Sequence, residues 1–348
     1  MAKKSKHPAN YYNDLFSGTP EEILDVLKKY PIQPPDDVET YKGMKLRDIE
    51  NARPDGSIAV SQISPTRKVA WLNFTKTAKG NIAYSMQERT AARTLVATSS
   101  YTPNNAHVAC YWLPWNSEGG IISIKIPTAG SRGRDEPDPD LFFTAAINGC
   151  SVFVSGTPDS PTVYHCGGST SQTTMAGGAK FWRDLMTRLV GGGGIQAEVN
   201  KTDYIKTDGI RDTGGGLTTQ AAKDYAAWLK SNTSDMLNIT DVSPFGCVMG
   251  IRSGGNWKFY LQENATVKYT VLKKKYGLFG PKVAQKENAL GKGQDGIIKK
   301  LADPNTGKKV VIDKIRYICY PIRVREIYPR AVGGGCRIFQ PLPKVEHG

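Results

Sequence analysis

The order of the predicted elements constrains the fold of this chain more than any other sequence feature. From residue 57 to 127, the short apolar segments SIAVSQI, KVAWLNF, HVACYWL and GIISIKI alternate with turns, as is typical of half-buried strands. Two helical patterns follow at 179–190 and 218–237, and strand patterns resume from FGCVMGI onward. Because strands and helices are grouped rather than regularly alternating, we predict an α+β fold, a mixed β-sheet sandwich core flanked by helices.

The chain divides into three predicted parts. Residues 1–56 contain a flexible arm up to residue 18, a helix that Thr19-Pro20-Glu21-Glu22 caps, and the linker PIQPPDD. Residues 57–270 form the α+β core. Residues 271–348 contain a basic loop and C-terminal strands, which we expect to pack on the same core.

Composition excludes several classes of protein. The 39% hydrophobic residues exclude wholesale disorder, and no apolar run reaches the ~20 residues that a membrane span needs. The N-terminal segment MAKKSKHPANYYND lacks the apolar stretch of a signal peptide. The six cysteines include no C-x-x-C pair, which argues against a zinc ribbon, and the net charge of +14 favours anionic partners.

The segment INGCSVFVSGTPDSPTVYHCGG, residues 147–168, predicts a hairpin with a cysteine on one strand and a histidine on the other. A turn centred between Thr157 and Pro158 would place Cys150 directly opposite His165. Directly opposed residues project from the same face with Cβ atoms ~5 Å apart, within reach of a sulfur–nitrogen hydrogen bond. A one-residue shift in register would separate the pair.

Such a pair has the chemistry of a catalytic dyad. A thiol with the usual pKa of ~8.5 is mostly protonated at neutral pH, and a facing imidazole can take its proton and hold the thiolate as an ion pair. Gly149 leaves room for a substrate backbone, and the amide of Cys150 could face a developing oxyanion. From spacing alone, two ordinary core residues remain the commoner explanation.

The same segment resembles the active-site segment of the glutamine deamidase toxins, namely the cytotoxic necrotizing factor catalytic domain and Burkholderia lethal factor, and is similar to the bacterial chemoreceptor glutamine deamidase. In that superfamily a Leu-Ser-Gly-Cys-type motif carries the nucleophile, and a histidine follows on the next strand. Here Ile147-Asn148-Gly149-Cys150 has asparagine where serine is usual, and His165 follows 15 residues later. Thr144 precedes Cys150 by six residues, as in some members. The resemblance covers 22 of the 348 residues.

The resemblance implies a cysteine-dependent protein-glutamine deamidase, with transglutamination as a side activity, that acts as a bacterial toxin or effector. Cys150 would be the nucleophile and His165 the acid and base. Thr144 would orient His165 or contact the substrate carboxamide, unless it is an ordinary strand residue, and Asn148 and Gly149 would contribute oxyanion or substrate contacts. No metal or organic cofactor is required.

The resemblance also implies a partner and a location. The partner would be a protein with a reactive glutamine, such as a small GTPase or a translation factor. The protein would be secreted or injected into a host cytosol without a cleavable signal peptide, or would otherwise be cytoplasmic.

Two other functions stay open. A Cys/His peptidase or acyltransferase would share the first chemical step. A basic nucleic-acid-binding module without catalysis would use lysines at 273–275, 299–300 and 308–309 together with interspersed tyrosines.

Other motifs are less informative. The G-x-G-x-x-G match at 291–296 follows no convincing strand pattern, so we expect no dinucleotide site there. We expect the acidic segment DEPDPD, residues 135–140, to be a solvated loop. Cys166 should lie on the face away from the dyad, and Cys247 repeats the Gly-Cys pattern with no histidine across its turn, which makes it an internal control.

Overall fold

Two β-sheets lie face to face between two layers of helices in the computed structural model of the chain. The structure describes residues 10–35, 38–39, 61–62, 67–76, 95–116, 120–133, 136–167, 175–191, 194–204, 236–273, 301–302, 309–329 and 338–339. The described residues confirm the predicted α+β class and the predicted sandwich of mixed sheets.

The described helices are α1 (Tyr11–Asp14), α2 (Pro20–Lys29), α3 (Met175–Val190) and α4 (Lys201–Tyr204). The predicted capping box begins α2: the Thr19 hydroxyl accepts from the Glu22 N–H, and the Glu22 carboxylate accepts from the Thr19 N–H. The helix predicted at 179–190 is confirmed as α3, which begins earlier, at Met175. Of the helix predicted at 218–237, residues 218–235 lie outside the described residues, and residue 236 is already the first residue of a strand.

The expectation of a flexible arm through residue 18 is wrong for residues 10–18. Phe16 is buried and stacks on Phe74, with 4.3 Å between ring centroids. The Asn13 amide oxygen accepts from the Phe74 N–H at 2.7 Å, and its Nδ2 donates to the Ala106 carbonyl at 2.7 Å. One aromatic ring and one buried amide fix this segment, and neither produces a periodic pattern in the sequence.

The strands group into one large sheet, one smaller sheet and a separate pair. The large sheet has the order β1-β5-β4-β6-β9-β13-β14-β16-β15, with β17 beside β16; the smaller sheet has the order β12-β10-β11-β8-β3; β2 pairs with β7. Their bounds are β1 (Ile32–Gln33), β2 (Val38–Glu39), β3 (Ser61–Gln62), β4 (Val69–Lys76), β5 (Leu95–Ser100), β6 (Val108–Leu113), β7 (Trp115–Asn116), β8 (Gly120–Lys125), β9 (Leu141–Thr144), β10 (Ser151–Thr157), β11 (Ser160–Gly167), β12 (Ile195–Val199), β13 (Met236–Ser253), β14 (Asn256–Lys273), β15 (Leu301–Ala302), β16 (Lys309–Tyr328) and β17 (Ile338–Phe339).

Three apolar clusters separate the four layers. The first packs α1 and α2 against one face of the large sheet, through residues such as Leu27, Phe74 and Phe143. The second fills the space between the two sheets, where Phe259 of the large sheet is in the same cluster as Val152 of the smaller one. The third packs α3 on the outer face of the smaller sheet. The sandwich interior therefore lies between the sheets, and β10 and β11 contribute to it.

The described part of the acidic segment, residues 136–140, is a loop in which Glu136 and Asp140 are exposed, as we expected, but Asp138 is anchored to the fold. Asp138 accepts hydrogen bonds from the Tyr111 hydroxyl at 2.9 Å, from the Gly130 N–H at 3.0 Å and from Arg252 Nη1 at 2.9 Å. Arg252 Nε also donates to Asp140 at 2.7 Å. Because the Arg252 side chain is itself buried, these carboxylates neutralise a charge inside the fold.

Other expectations fall outside the described part of the chain. The G-x-G-x-x-G match and the basic loop from residue 274 to 300 are not among the described residues. No helix within the described ranges is long and apolar enough to cross a membrane.

Candidate active site

The hairpin that carries Cys150 and His165 has a different register from the predicted one. His165 lies opposite Val152, and Ser151 lies opposite Cys166. The two turn residues are Pro158 and Asp159. The predicted turn would have put Pro158 in the third position of the turn, where proline is disfavoured, whereas the observed turn puts it in the second, which its fixed φ suits.

This correction shifts the strands by two positions, so the side chains keep their faces. Gly167 occupies the position opposite Cys150, and a Cβ built on Gly167 would lie only 3.1 Å from Cys150 Sγ. Because side chains alternate along a strand, the faces of positions 165 and 167 are the same. The thiol and the imidazole therefore project from one face of β10–β11 as diagonal neighbours, where Cα atoms are about 7–8 Å apart and Cβ atoms are somewhat closer.

The residues just before Cys150 cross from one sheet to the other. Ile147 forms an antiparallel bridge with Gly246 of β13, with hydrogen bonds of 2.8 and 2.9 Å, and β10 begins at Ser151. Gly149 lies within this crossing with φ of +114°, a conformation that residues with a Cβ rarely adopt. Cys150 thus stands at the end of a strand, half-buried, and not within one.

Tyr204 holds the crossing in place through a single hydroxyl. This hydroxyl accepts from the Gly149 N–H at 2.8 Å and donates to the Cys150 carbonyl at 2.8 Å. The Tyr204 side chain is buried, and burial, together with the neighbouring Cys150, raises its pKa well above the ordinary value. The hydroxyl is therefore protonated at neutral pH and able to donate.

The start of β10 is tied to α4 by a second set of contacts. The Ser151 hydroxyl donates to Asn200 Oδ1 at 2.8 Å, and the Asn200 N–H donates to Asp203 at 2.7 Å. Arg325 of β16 contacts Asp203 at 3.2 Å, which connects α4 to the large sheet. Tyr204 of α4 and Asn200, the residue before this helix, thus contact the chain on both sides of Cys150.

His165 lies in an apolar environment between the sheets, only 1% exposed. Burial lowers its pKa to about 4, although the carbonyl of Pro114 opposes this shift. Neither ring nitrogen makes a hydrogen bond of ordinary geometry with a described residue, Cys150 included. The imidazole is therefore neutral at physiological pH, and the resting thiolate–imidazolium ion pair that we expected is disfavoured.

The remaining predicted site residues occupy three different environments. Thr144 is fully buried, and its hydroxyl accepts from the Val248 N–H at 3.3 Å and donates to the Ala145 carbonyl at 2.9 Å. Asn148 is exposed next to the crossing. The Gly149 N–H is hydrogen-bonded to Tyr204, so it is not available as an oxyanion donor in this conformation.

Cys166 and Cys247 lie in apolar surroundings. Cys166 projects from the opposite face into the cluster under α3, as we expected, and burial raises its pKa. Cys247 is fully buried in β13, where burial also raises its pKa. Within the described ranges, no group of three or more His, Cys, Asp or Glu side chains could hold a metal ion.

Sequence reasoning missed Tyr204, Asn200 and Lys201 as neighbours of residues 149–151. The available signal was the segment EVNKTDY, in which an asparagine precedes an aspartate by three residues, as at a helix N-terminus. A four-residue helix is too short to produce an amphipathic pattern, and its contact with residue 149 depends entirely on tertiary structure.

No protein-family model and no curated protein matches this sequence significantly. Among solved structures, the chain is similar to the C-terminal domain of CNFy from Yersinia pseudotuberculosis. The TM-score is 0.25 and the sequence identity is 12%, over 56% of this chain and 67% of that chain. At this TM-score the likeness does not establish a common activity.

Proposed function

We propose that the protein is a cysteine-dependent protein-glutamine deamidase, in which Cys150 is the nucleophile and His165 the general base, and that it acts as a bacterial toxin or effector. The observation that supports this most strongly is the position of Cys150 Sγ over Gly167, on the hairpin face that also carries His165. The motif Asn148-Gly149-Cys150 and its resemblance to the deamidase toxins direct the choice of a carboxamide as the acyl donor.

The first step forms a tetrahedral intermediate. Cys150 Sγ attacks the side-chain carboxamide carbon of the substrate glutamine as neutral His165 accepts the thiol proton, and a sulfur–carbon bond forms while the carbonyl oxygen takes the negative charge. A buried imidazolium is costly, so His165 holds the proton only transiently. The diagonal offset requires side-chain rotation to bring nitrogen to sulfur, and catalytic hydrogen bonds are often long before substrate binds.

The second and third steps release the products. The imidazolium gives its proton to the amide nitrogen, the carbon–nitrogen bond breaks, and ammonia leaves a thioester on Cys150. His165 then takes a proton from water as hydroxide attacks the thioester carbon. The carbon–sulfur bond breaks, and the imidazolium returns the proton to the leaving thiolate, which gives glutamate and regenerates the thiol. A primary amine in place of water would give the transglutaminated product.

The surrounding residues would support these steps in different ways. We assign Thr144 a supporting role in joining β9 to β13, because its hydroxyl is buried and bonded to backbone groups. Tyr204 positions the nucleophile through Gly149 and the Cys150 carbonyl. The exposed Asn148 is available for contact with substrate.

The test is incubation of wild-type protein with small GTPases, translation factors and a library of single-glutamine peptides, followed by mass analysis of every product. We expect conversion of glutamine to glutamate by wild type and by the control Cys247→Ala, and none by Cys150→Ser. Modification that persists in Cys150→Ser would exclude the dyad. Conversion of no substrate by wild type would contradict deamidation, and peptide-bond cleavage dependent on Cys150 would identify a peptidase instead.

A further inference from the structure

Lys201 places a cationic group beside the nucleophile position. Its Nζ lies 3.8 Å from where a Cβ on Gly149 would stand, and Gly149 is the residue before Cys150. Lys201 is half-buried at the start of α4, three residues before the tyrosine that holds the crossing. The same short helix therefore holds the backbone on both sides of the Gly149–Cys150 peptide and brings a positive charge next to Gly149.

The neighbouring carboxylates of this chain are already engaged. Asp203 contacts Arg325 and accepts from the Asn200 N–H, while Glu198 forms an ion pair with Arg183 and accepts from Asn200 Nδ2. Among the described residues, Lys201 forms no ion pair. A cation beside a reactive position, with the nearby acidic groups committed elsewhere, is suited to bind a carboxylate supplied by another molecule.

We propose that Lys201 determines specificity by binding the carboxylate of an aspartate or glutamate next to the reactive glutamine in the substrate. This inference rests on the proposed function and names its substrate class, a glutamine in an acidic segment of a protein. The net charge of +14 acts in the same direction, because a positive field attracts acidic surfaces.

The first experiment measures the charge near Cys150 without any deamidation. Iodoacetate and iodoacetamide alkylate the same thiol, but only iodoacetate is anionic, so the ratio of their rates at Cys150 reports local positive charge. Peptide mapping follows the labelling of Cys150 in the full-length protein. We expect the ratio of the iodoacetate rate to the iodoacetamide rate to be about fivefold lower in Lys201→Gln than in wild type, and lower still in Lys201→Glu. High salt should screen the charge, so that these ratios approach one another.

The matched control is Lys180→Gln. Lys180 is an exposed lysine of α3 that already pairs with Asp184. Its loss removes the same amount of net charge as Lys201→Gln but should leave the ratio of alkylation rates unchanged. Equal ratios in wild type and Lys201→Gln, or equal effects of the two substitutions, would overturn the proposal whatever the enzyme does to glutamine.

The second experiment measures turnover of three peptides that differ only in the residue beside the glutamine, which is Glu, Gln or Lys. We expect wild type to prefer the Glu peptide by about fivefold in kcat/KM, and Lys201→Glu to prefer the Lys peptide. A preference that Lys201→Glu leaves unchanged would overturn the assignment. If wild type converts none of the peptides while the alkylation ratio responds to Lys201, the proposed function fails and the carboxylate site stands.

Discussion

The chain contains two Gly-Cys segments that border different cores. Cys150 packs against the core between the two sheets, whereas Cys247 lies in the core between the large sheet and helices α1 and α2. Cys150 is half-buried at the crossing between the sheets, on the face that carries His165. Cys247 is fully buried within the long strand β13, and its thiol contacts the Thr144 carbonyl at 3.8 Å. Position at the end of a strand, more than the local sequence, separates the proposed nucleophile Cys150 from the fully buried Cys247.

The glycines before the two cysteines serve different purposes. Gly149 has φ of +114°, and a Cβ there would meet Lys201 Nζ only at an ordinary contact distance of 3.8 Å, so this glycine is required by the backbone. Gly246 is required by packing, because a Cβ there would lie 2.9 Å from Ile147 Cγ1 and 3.1 Å from Leu261 Cδ1. The two glycines are connected through Ile147, which forms a β-bridge with Gly246 and lies two residues before Gly149.

The largest expected difference between the two segments is in thiol accessibility. A brief pulse of iodoacetamide on the native protein should label Cys150 at least about 1000 times faster than Cys247, because Cys247 reacts only when β13 opens. Mass spectrometry of the digested protein gives both rates in one experiment.

Denaturant provides the control for this comparison. In unfolding concentrations of urea the two cysteines should react at similar rates, since both are then exposed. Comparable labelling of both thiols in the native protein would mean that β13 opens readily and does not protect the buried Cys247 thiol.

The next largest effect is a pH dependence of stability that comes from His165. Its pKa of about 4 in the folded protein is below the ordinary value of 6.5, so between these values the unfolded chain binds the proton and the folded one does not. Stability is therefore highest above pH 6.5 and falls as the pH decreases, by about 3 kcal/mol at pH 4 from this residue alone. Urea unfolding at pH 7.0 and pH 4.5 measures the difference.

Two histidine variants isolate this contribution from that of the carboxylates. His165→Asn should reduce the loss of stability between the two pH values, whereas His107→Asn leaves His165 in place and should retain it. An unchanged pH dependence in His165→Asn would contradict a buried, neutral imidazole.

A smaller effect distinguishes the two glycines. Gly149→Ala should cost about 1–3 kcal/mol through backbone strain, and Gly246→Ala a similar amount through overpacking. Truncation of the side chain that Gly246 contacts, Ile147→Ala, should offset part of the Gly246→Ala penalty and not the Gly149→Ala penalty. Free energies of unfolding for the single and double variants measure the two couplings. Equal couplings would mean that both glycines are constrained in the same way.

The fold was predictable where its information is local. The capping box at Thr19, the helix that ends at Val190 and most of the central strands follow from patterns of a few residues. The docking of residues 10–18 and the anchoring of Asp138 by Arg252 were not, because each depends on a single buried contact between residues far apart in the sequence.

The hairpin and the face that Cys150 and His165 share were predictable from the sequence, but the register of the hairpin was not. The sequence brings Cys150 and His165 to one hairpin, and the two-position shift preserves their shared face because side chains alternate with period two. The correct register could have been predicted from Pro158, because proline favours the second position of a turn. The low pKa of His165 and the hydrogen bonds of the Tyr204 hydroxyl to the backbone at Gly149 and Cys150 depend on tertiary packing. No local sequence pattern indicates such packing.

The smallest effect concerns the two tyrosine hydroxyls that hold the opposite ends of the β10–β11 hairpin. Tyr204 bonds the Gly149 N–H and the Cys150 carbonyl, while Tyr328 donates to the Gly156 carbonyl near the turn at 3.2 Å. Each Tyr→Phe variant should lose about 1 kcal/mol of unfolding free energy, because hydrogen bonds to backbone groups are lost. Only Tyr204→Phe should also alter the alkylation rate of Cys150, since this variant removes the hydrogen bonds to the Gly149 N–H and the Cys150 carbonyl. If Tyr328→Phe changes that rate as much, the hairpin responds as a rigid whole and Tyr204 has no particular role in positioning the nucleophile.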